Sequence, residues 1–153
     1  MEDTLKIKGT YHLKIVRADG SVKDAWSVNN IVTNAGKAQL ALLAGDSTAD
    51  PFTYIAVGTS STAVSAAQTA LQAETTTSGL SRAAGTVSRT TTTVSNDTFQ
   101  VTKTFTASGT VAVEEVGIFN ASSSGTMLSR ALTGTKTIVS TEQLVVTYTL
   151  AFA

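Results

Sequence analysis

The residues able to move a proton, attack a carbonyl or hold a metal are few and scattered. His12 is the only histidine and there is no cysteine. Thiolate nucleophiles, disulfides, thiolate metal sites and any two-histidine chelate are therefore excluded within the chain. His12 falls on the polar side of an alternating segment, without the partners a triad or metal needs, and reads as an ordinary strand residue. Glu114 and Glu115 are adjacent carboxylates. Neighbours on a regular strand point to opposite faces, so a glycosidase-type pair would require an irregularity that turned one round. A surface or salt-bridge role is expected for them. Asp46 and Asp50 lack the alternating oxygen-ligand register of a calcium loop and suit capping and turns. Neither Gly-x-Gly-x-x-Gly nor Gly-Lys-Thr/Ser occurs, so no phosphate cradle is expected. The expectation is no catalytic residue, no metal ligand and no cofactor.

What remains is contact with other proteins. Trp26 is the single tryptophan, a residue enriched at interface hot spots, although one aromatic on a strand fits a core better. Leu5, Ile7 and Tyr11 share the apolar side of the first strand. If that strand ran beyond the body of the protein, another subunit would have to cover it. Leu5, Ile7, Tyr11 and Trp26 are the candidate partner-interface residues.

The elements that position these residues are mostly strands. Leu5, Ile7, Tyr11, Leu13 and Ile15 alternate with Lys6, Lys8, Thr10, His12 and Lys14, one face buried and one wet. Asp19-Gly20 suits a tight turn, with Val22, Trp26 and Val28 on the return, giving a hairpin over 5–30. A helix is predicted over 35–44, capped by Thr33 or Asn34 and left at Gly45. Residues 52–57 are apolar on both faces, as in a strand buried on two sides. Residues 59–80 form a long Ser/Thr-rich loop, with a possible helical turn at Leu71. A Thr-rich strand follows from Ser81 to Val94, then a turn at Ser95-Asn96-Asp97 and a strand bearing Phe99, Val101 and Phe105. Apolar parity flips between Val111/Val113 and Val116/Ile118, which predicts a β-bulge at Glu114-Glu115. Leu144, Val146, Tyr148, Leu150 and Phe152 line one face of the last strand. The pattern predicts an all-β antiparallel sandwich or jelly roll with one short helix, residues 1–153 forming a single domain.

Composition narrows the partners. The 153 residues carry zero formal net charge, with only 14% charged side chains, so little long-range repulsion opposes self-association. Six of the eleven basic residues lie in the first 37 positions, interleaved with acids, which argues against nucleic acid as the partner. No run approaches the roughly 20 apolar residues that span a bilayer. The opening Met1-Glu2-Asp3 has no signal-like pattern, so synthesis in the cytosol is expected and a membrane partner is not.

Several segments together carry a family likeness. Asn30-Ile-Val-Thr-Asn-Ala-Gly36 is followed by Leu40-Ala-Leu-Leu-Ala-Gly45, Phe52-Thr-Tyr-Ile-Ala-Val-Gly-Thr59, Thr69-Ala-Leu-Gln-Ala-Glu74 and Ser81-Arg82. Later come Val113-Glu-Glu-Val-Gly-Ile-Phe-Asn120, Gly125-Thr-Met-Leu-Ser-Arg130 and Leu144-Val-Val-Thr-Tyr-Thr-Leu-Ala-Phe152. Over most of residues 10 to 152 the chain resembles a widespread family of tailed-bacteriophage virion structural proteins. The resemblance implies a small jelly-roll-like module that decorates or cements capsids, commonly as a trimer, with the major capsid protein and itself as partners. It is equally compatible with part of a tail fibre or baseplate, where the 59–80 loop would be the recognition surface. Without a long helical or repetitive shaft, capsid decoration ranks first. The implied location is the virion, assembled in the bacterial cytoplasm, with the 5–30 hairpin as a possible attachment arm. A carbohydrate-active enzyme using Glu114 has little support.

Overall fold

Alternating β-branched and polar residues give strands that each turn an apolar side toward the middle of a sandwich. The computed structural model describes residues 4–153, and Met1-Glu2-Asp3 lies outside the described residues. In chain order the strands are β1 (Ile7–Val16), β2 (Val22–Asn29), β3 (Ile31–Val32), β4 (Tyr54–Gly58), β5 (Ala83–Ala84), β6 (Thr86–Thr90), β7 (Thr98–Thr106), β8 (Val111–Phe119), β9 (Met127–Ile138) and β10 (Gln143–Phe152). The helix α1 (Asn34–Gly45) lies between β3 and β4. The first sheet has the order β2-β1-β10-β7-β6 and the second β3-β9-β8-β4-β5, every pairing antiparallel. The expected all-β sandwich is what forms. Its consecutive pairs β1–β2, β6–β7 and β8–β9 are hairpins within one sheet, where a jelly roll would send most consecutive strands to opposite sheets.

The 5–30 hairpin exists but is not an arm, which corrects that expectation. β1 lies between β2 and β10 and pairs with β10 without a break from Ile7↔Phe152 to Val16↔Gln143. Its alternate residues Tyr11, Leu13 and Ile15 are buried in the central core. A strand paired on both edges and covered on one face cannot be withdrawn without dismantling the sheet. At the hairpin's tip Gly20 takes φ +84°, and the Asp19 carboxylate accepts from the amide and hydroxyl of Ser21.

The helix starts where the sequence predicts. Thr33 Oγ1 accepts from the Gly36 amide at 2.8 Å, while its own hydroxyl donates to the Met127 carbonyl at 2.5 Å. One side chain thus caps α1 and ties it to β9. Gly36 permits the contact, because a Cβ there would stand 2.5 Å from the Leu128 carbonyl oxygen and 2.7 Å from its Cα. No helical turn forms at Leu71.

The predicted strand from Ser81 to Val94 is divided. β5 belongs to the second sheet and β6 to the first, with Gly85 between them donating its amide to the Thr53 carbonyl. β6 stops at Thr90 because the Asp97 carboxylate accepts from the amides of Thr92, Thr93 and Val94, which diverts those donors from any ladder. These bonds, from Val94 and Thr92 above all, hold the Asp97 carboxyl well below the usual carboxylate range.

Two predictions follow from this architecture. Gly36→Ala should destabilise by about 1–3 kcal/mol through overpacking against β9, whereas Gly45→Ala, which meets nothing within 4 Å, should be neutral or stabilise by up to about 1 kcal/mol. Urea unfolding of the two variants checks the opposite signs. For Asp97 the folded value is depressed, so its contribution is present above the unfolded carboxyl range near pH 4 and is lost as pH falls through the folded value. Asp97→Asn should therefore flatten the loss of thermal stability on the acid side, read by calorimetry from pH 7 down to pH 2.

Candidate functional site

The four candidate interface residues are not brought together. Tyr11 has no exposure. Its hydroxyl donates to the Ser129 carbonyl at 3.2 Å and shares a 2.7 Å bond with Ser129 Oγ, and its ring centroid lies 4.7 Å from that of Tyr148. Burial, with Tyr148 beside it, pushes the Tyr11 hydroxyl well above its ordinary value, and burial pushes Tyr148 up to about 12. Tyr11 is a bolt between the sheets and is removed from the interface set: an apolar face that another subunit was expected to cover is covered by this chain's own second sheet. Trp26 pairs with Leu13 on the inner side of β2 and is half-buried, with Lys136 Nζ 4.5 Å from its ring centroid. Leu5 and Ile7, 66% and 39% exposed, remain accessible at the free end of β1. From Ile7 to Leu13 the strand covers about 20 Å, so Trp26 and the Leu5/Ile7 pair belong to different places.

The other titratable candidates are occupied locally. His12 Nδ1 lies 2.7 Å from Ser27 Oγ on the outer side of the first sheet. Asp46 accepts from the amide and hydroxyl of Thr48, which lowers its carboxyl, and Glu114 accepts from the Thr135 hydroxyl at 2.7 Å. Among the described residues, no group of three or more His, Cys, Asp or Glu could hold a metal ion.

Glu115 has a different fate, set by the bulge. The β8–β9 register shifts between Val113 and Glu115, so Val116 and Ile118 keep facing the core while Glu115, Gly117 and Phe119 turn to the outside of the second sheet. That outside is not wet. The 59–80 loop lies over it, and Leu71 joins Ala56, Phe119 and Met127 in a second, smaller apolar cluster beside Tyr54. Under the loop Glu115 pairs with Arg130 at 2.7 Å, the two side chains 0% and 1% exposed. Glu115 also accepts from the amides of Gln72 at 3.0 Å and Ala73 at 2.7 Å, and Arg130 Nη1 donates to Gln68 Oε1. The cover is locked at its far end by Arg82. Its guanidinium pairs with Glu74 through two bonds, donates to the carbonyls of Ala121 and Ser124, and stands 3.6 Å above the Phe119 ring. The expected salt-bridge role of the Glu114-Glu115 pair thus falls to Glu115.

Among the described residues nothing covers the outer face of the first sheet. Across all five strands runs the row Thr86, Thr102, Thr147, His12, Ser27, each the cross-strand partner of the next. The next row is Ser88, Gln100, Thr149, Thr10, Asn29. These short side chains bond to one another, Thr102 to Thr147 at 3.1 Å and Gln100 to Ser88 at 3.2 Å. The rows hold no carboxylate and make a strip of hydroxyls and amides, flanked on β1 by Lys8 and Lys14. A separate apolar recess of about 230 Å³ opens between α1 and the strand ends, lined by Leu40, Leu43, Phe52, Phe99 and Phe152 among others.

No family model, no curated protein and no solved structure gives a match to this chain. Sequence reasoning missed the Arg130 and Arg82 anchors. The signal was there for Arg130, a cation set among Leu128, Ala131 and Leu132 on a strand that is otherwise buried. Its charged partner Glu115 comes from the β8 bulge, and the loop's return onto the sheet adds Gln68 and buries the pair.

Breaking a buried pair strands the remaining charge, at a cost of about 3–5 kcal/mol, whereas replacing both partners by apolar residues is far cheaper. Arg130→Met alone should lose stability in that range, and Glu115→Leu/Arg130→Met should lose clearly less. Because the double variant also removes the acceptor for two loop amides, hydrogen exchange at Gln72 and Ala73 should accelerate in it. Unchanged protection at those amides would show that the loop is held without Glu115.

Proposed function

We propose that this chain is a non-catalytic structural subunit of a tailed-bacteriophage virion, and specifically a decoration protein that binds the outer surface of the head and stabilises it. The observation that carries the reading is where the family-like segments fall. Asn30–Gly36 spans β3 and the Thr33 cap, Tyr54–Gly58 is β4, and Val113–Asn120 holds the bulge and Glu115. Leu128–Arg130 supplies Tyr11's hydrogen-bond partner and the buried arginine. They are the joints of a scaffold. A likeness that includes these joints fits a protein whose task is to keep a shape and present surfaces.

The surfaces support the same reading. A flat field of threonine and serine loses little side-chain entropy on docking compared with one of lysine, glutamate or arginine. Zero net charge imposes no long-range repulsion between copies packed on a lattice. Many modest contacts, summed over an oligomer, then give firm attachment without any single indispensable residue. The partners in this reading are the major capsid protein and further copies of the chain.

The test is to separate heads from tails of purified particles and assay each by mass spectrometry and gold-labelled antibody. The protein is expected on heads, and heads lacking it should rupture at lower temperature. Label confined to tails would overturn the head assignment in favour of a fibre or baseplate module. Absence from both would overturn the virion reading.

A further inference from the structure

The two sheets have four outer edges, and they are not equally closed. β3 and β5 are two residues each, too short to template another strand. β2 is long but drawn against the second sheet: Lys23 Nζ donates to the Thr137 carbonyl and pairs with Glu142, and Lys136 pairs with Asp24 at 2.7 Å. Its register with β1 also shifts between Ile15 and Val16. Charged side chains and register breaks are the devices by which sheet edges avoid accepting a foreign strand.

β6 has no register break and no ion pair drawing it against the second sheet, and its one charge is Arg89. Its pairing with β7 runs without a break from Thr86↔Thr102 to Thr90↔Thr98, and all five of its residues are exposed. It contains no lysine and no proline, and among the described residues nothing pairs with its other backbone edge. Val87 marks what is missing. It is the cross-strand partner of Val101, which has no exposure, yet Val87 itself is 47% exposed.

We infer that β6 is the contact strand between two copies of this chain, which pair antiparallel across a two-fold axis at Ser88 and join their first sheets into one continuous sheet. The geometry selects this partner over a ring. Successive antiparallel pairings make β2 and β6 run in the same direction at opposite edges of the first sheet. Copies joined β6 to β2 would need a parallel pairing, less stable per residue, at the guarded edge. A β6–β6 contact is antiparallel and self-complementary. Centred on Ser88, it sets Thr86 against the partner's Thr90, and Val87 against the methylene stem of the partner's Arg89, whose guanidinium stays in water. The hydroxyl rows of the outer face then continue across the joint. This contact goes beyond the virion reading and is independent of it, since copies would pair wherever the protein works. It is also distinct from the three-fold arrangement that the family likeness implies.

The chain has no cysteine, so Ser88→Cys introduces a single thiol. Residues opposite one another in an antiparallel pair have Cα atoms about 4.5–5.5 Å apart, within reach of a disulfide. The wild-type chain is expected to sediment as a dimer. Ser88→Cys should convert to a reducible covalent dimer under mild oxidation, and Thr104→Cys, exposed on β7 beyond the last residue paired with β6 and remote from the two-fold axis, should not. Val87→Lys places a charge on the open edge at a position 47% exposed and should halve the sedimenting mass while the circular dichroism spectrum stays that of the folded β protein. A wild-type monomer or trimer, or a Ser88→Cys chain that cross-links no faster than Thr104→Cys, overturns the inference even if Val87→Lys fails to fold.

Discussion

A carboxylate and a guanidinium with almost no exposure, Glu115 and Arg130, set the terms for half of this molecule. Two charges taken out of water are tolerable only when their remaining hydrogen-bonding capacity is met. Here the 59–80 loop meets most of it, through two backbone amides to Glu115 and the Gln68 side chain to Arg130. The dependence is mutual. Without the loop the pair would stand on a wet sheet face, where ion pairs contribute little, and without the pair the middle of the loop would lose its acceptor for two amides and keep only Leu71 and the Glu74–Arg82 anchor at its far end. Gly58 belongs to the same constraint, since a Cβ there would stand 2.5 Å from the Ala73 carbonyl oxygen.

The bulge makes the arrangement possible. In an unbroken β8, Glu115 would fall in phase with Val111 and Val113 and face the apolar core. One extra residue moves it to the outside and leaves Val116 and Ile118 inside. The strand thereby supplies apolar residues to the central core at both its ends and an anion to the second layer in its middle. The second sheet is covered on both faces as a result, by the first sheet within and by the loop without. The first sheet is covered on one face only, and its outer side remains a polar field.

That asymmetry explains what could be read from the sequence. Strands with one wet face advertise themselves by alternation, so β1 and β10 are plain in the pattern of Tyr11, Leu13 and Ile15 and of Leu144, Val146 and Tyr148. The double-sided burial of β4 is legible too, because Ile55 and Val57 face the core while Ala56 faces the loop cluster. The parity flip at Glu114-Glu115 gives the bulge without any structure. What is not legible depends on long-range partners. Arg82 looks like an ordinary surface cation until the loop brings Glu74 to it, and the apolar neighbours of Arg130 signal burial without naming Glu115 as its partner. The Thr-rich run from Ser81 looks like a single strand because β-branched residues suit either sheet equally, and only the Gly85 bond to Thr53 and the Asp97 cage show where it divides. The alternation around Tyr11 shows an apolar face that needs cover, but periodicity cannot tell which layer supplies it.

The distribution of charge completes the picture. Of the few ionised groups in this chain, several are spent on internal closure: Glu115 with Arg130, Glu74 with Arg82, Asp24 with Lys136 and Glu142 with Lys23. Two of these pairs hold the loop over the second sheet, and the other two draw the β2 edge of the sandwich shut. Charges committed to closing edges and layers are not available to keep neighbours away. The surfaces left free are the hydroxyl rows, flanked by Lys8 and Lys14, and the β6 edge with Arg89, where among the described residues no carboxylate opposes these cations.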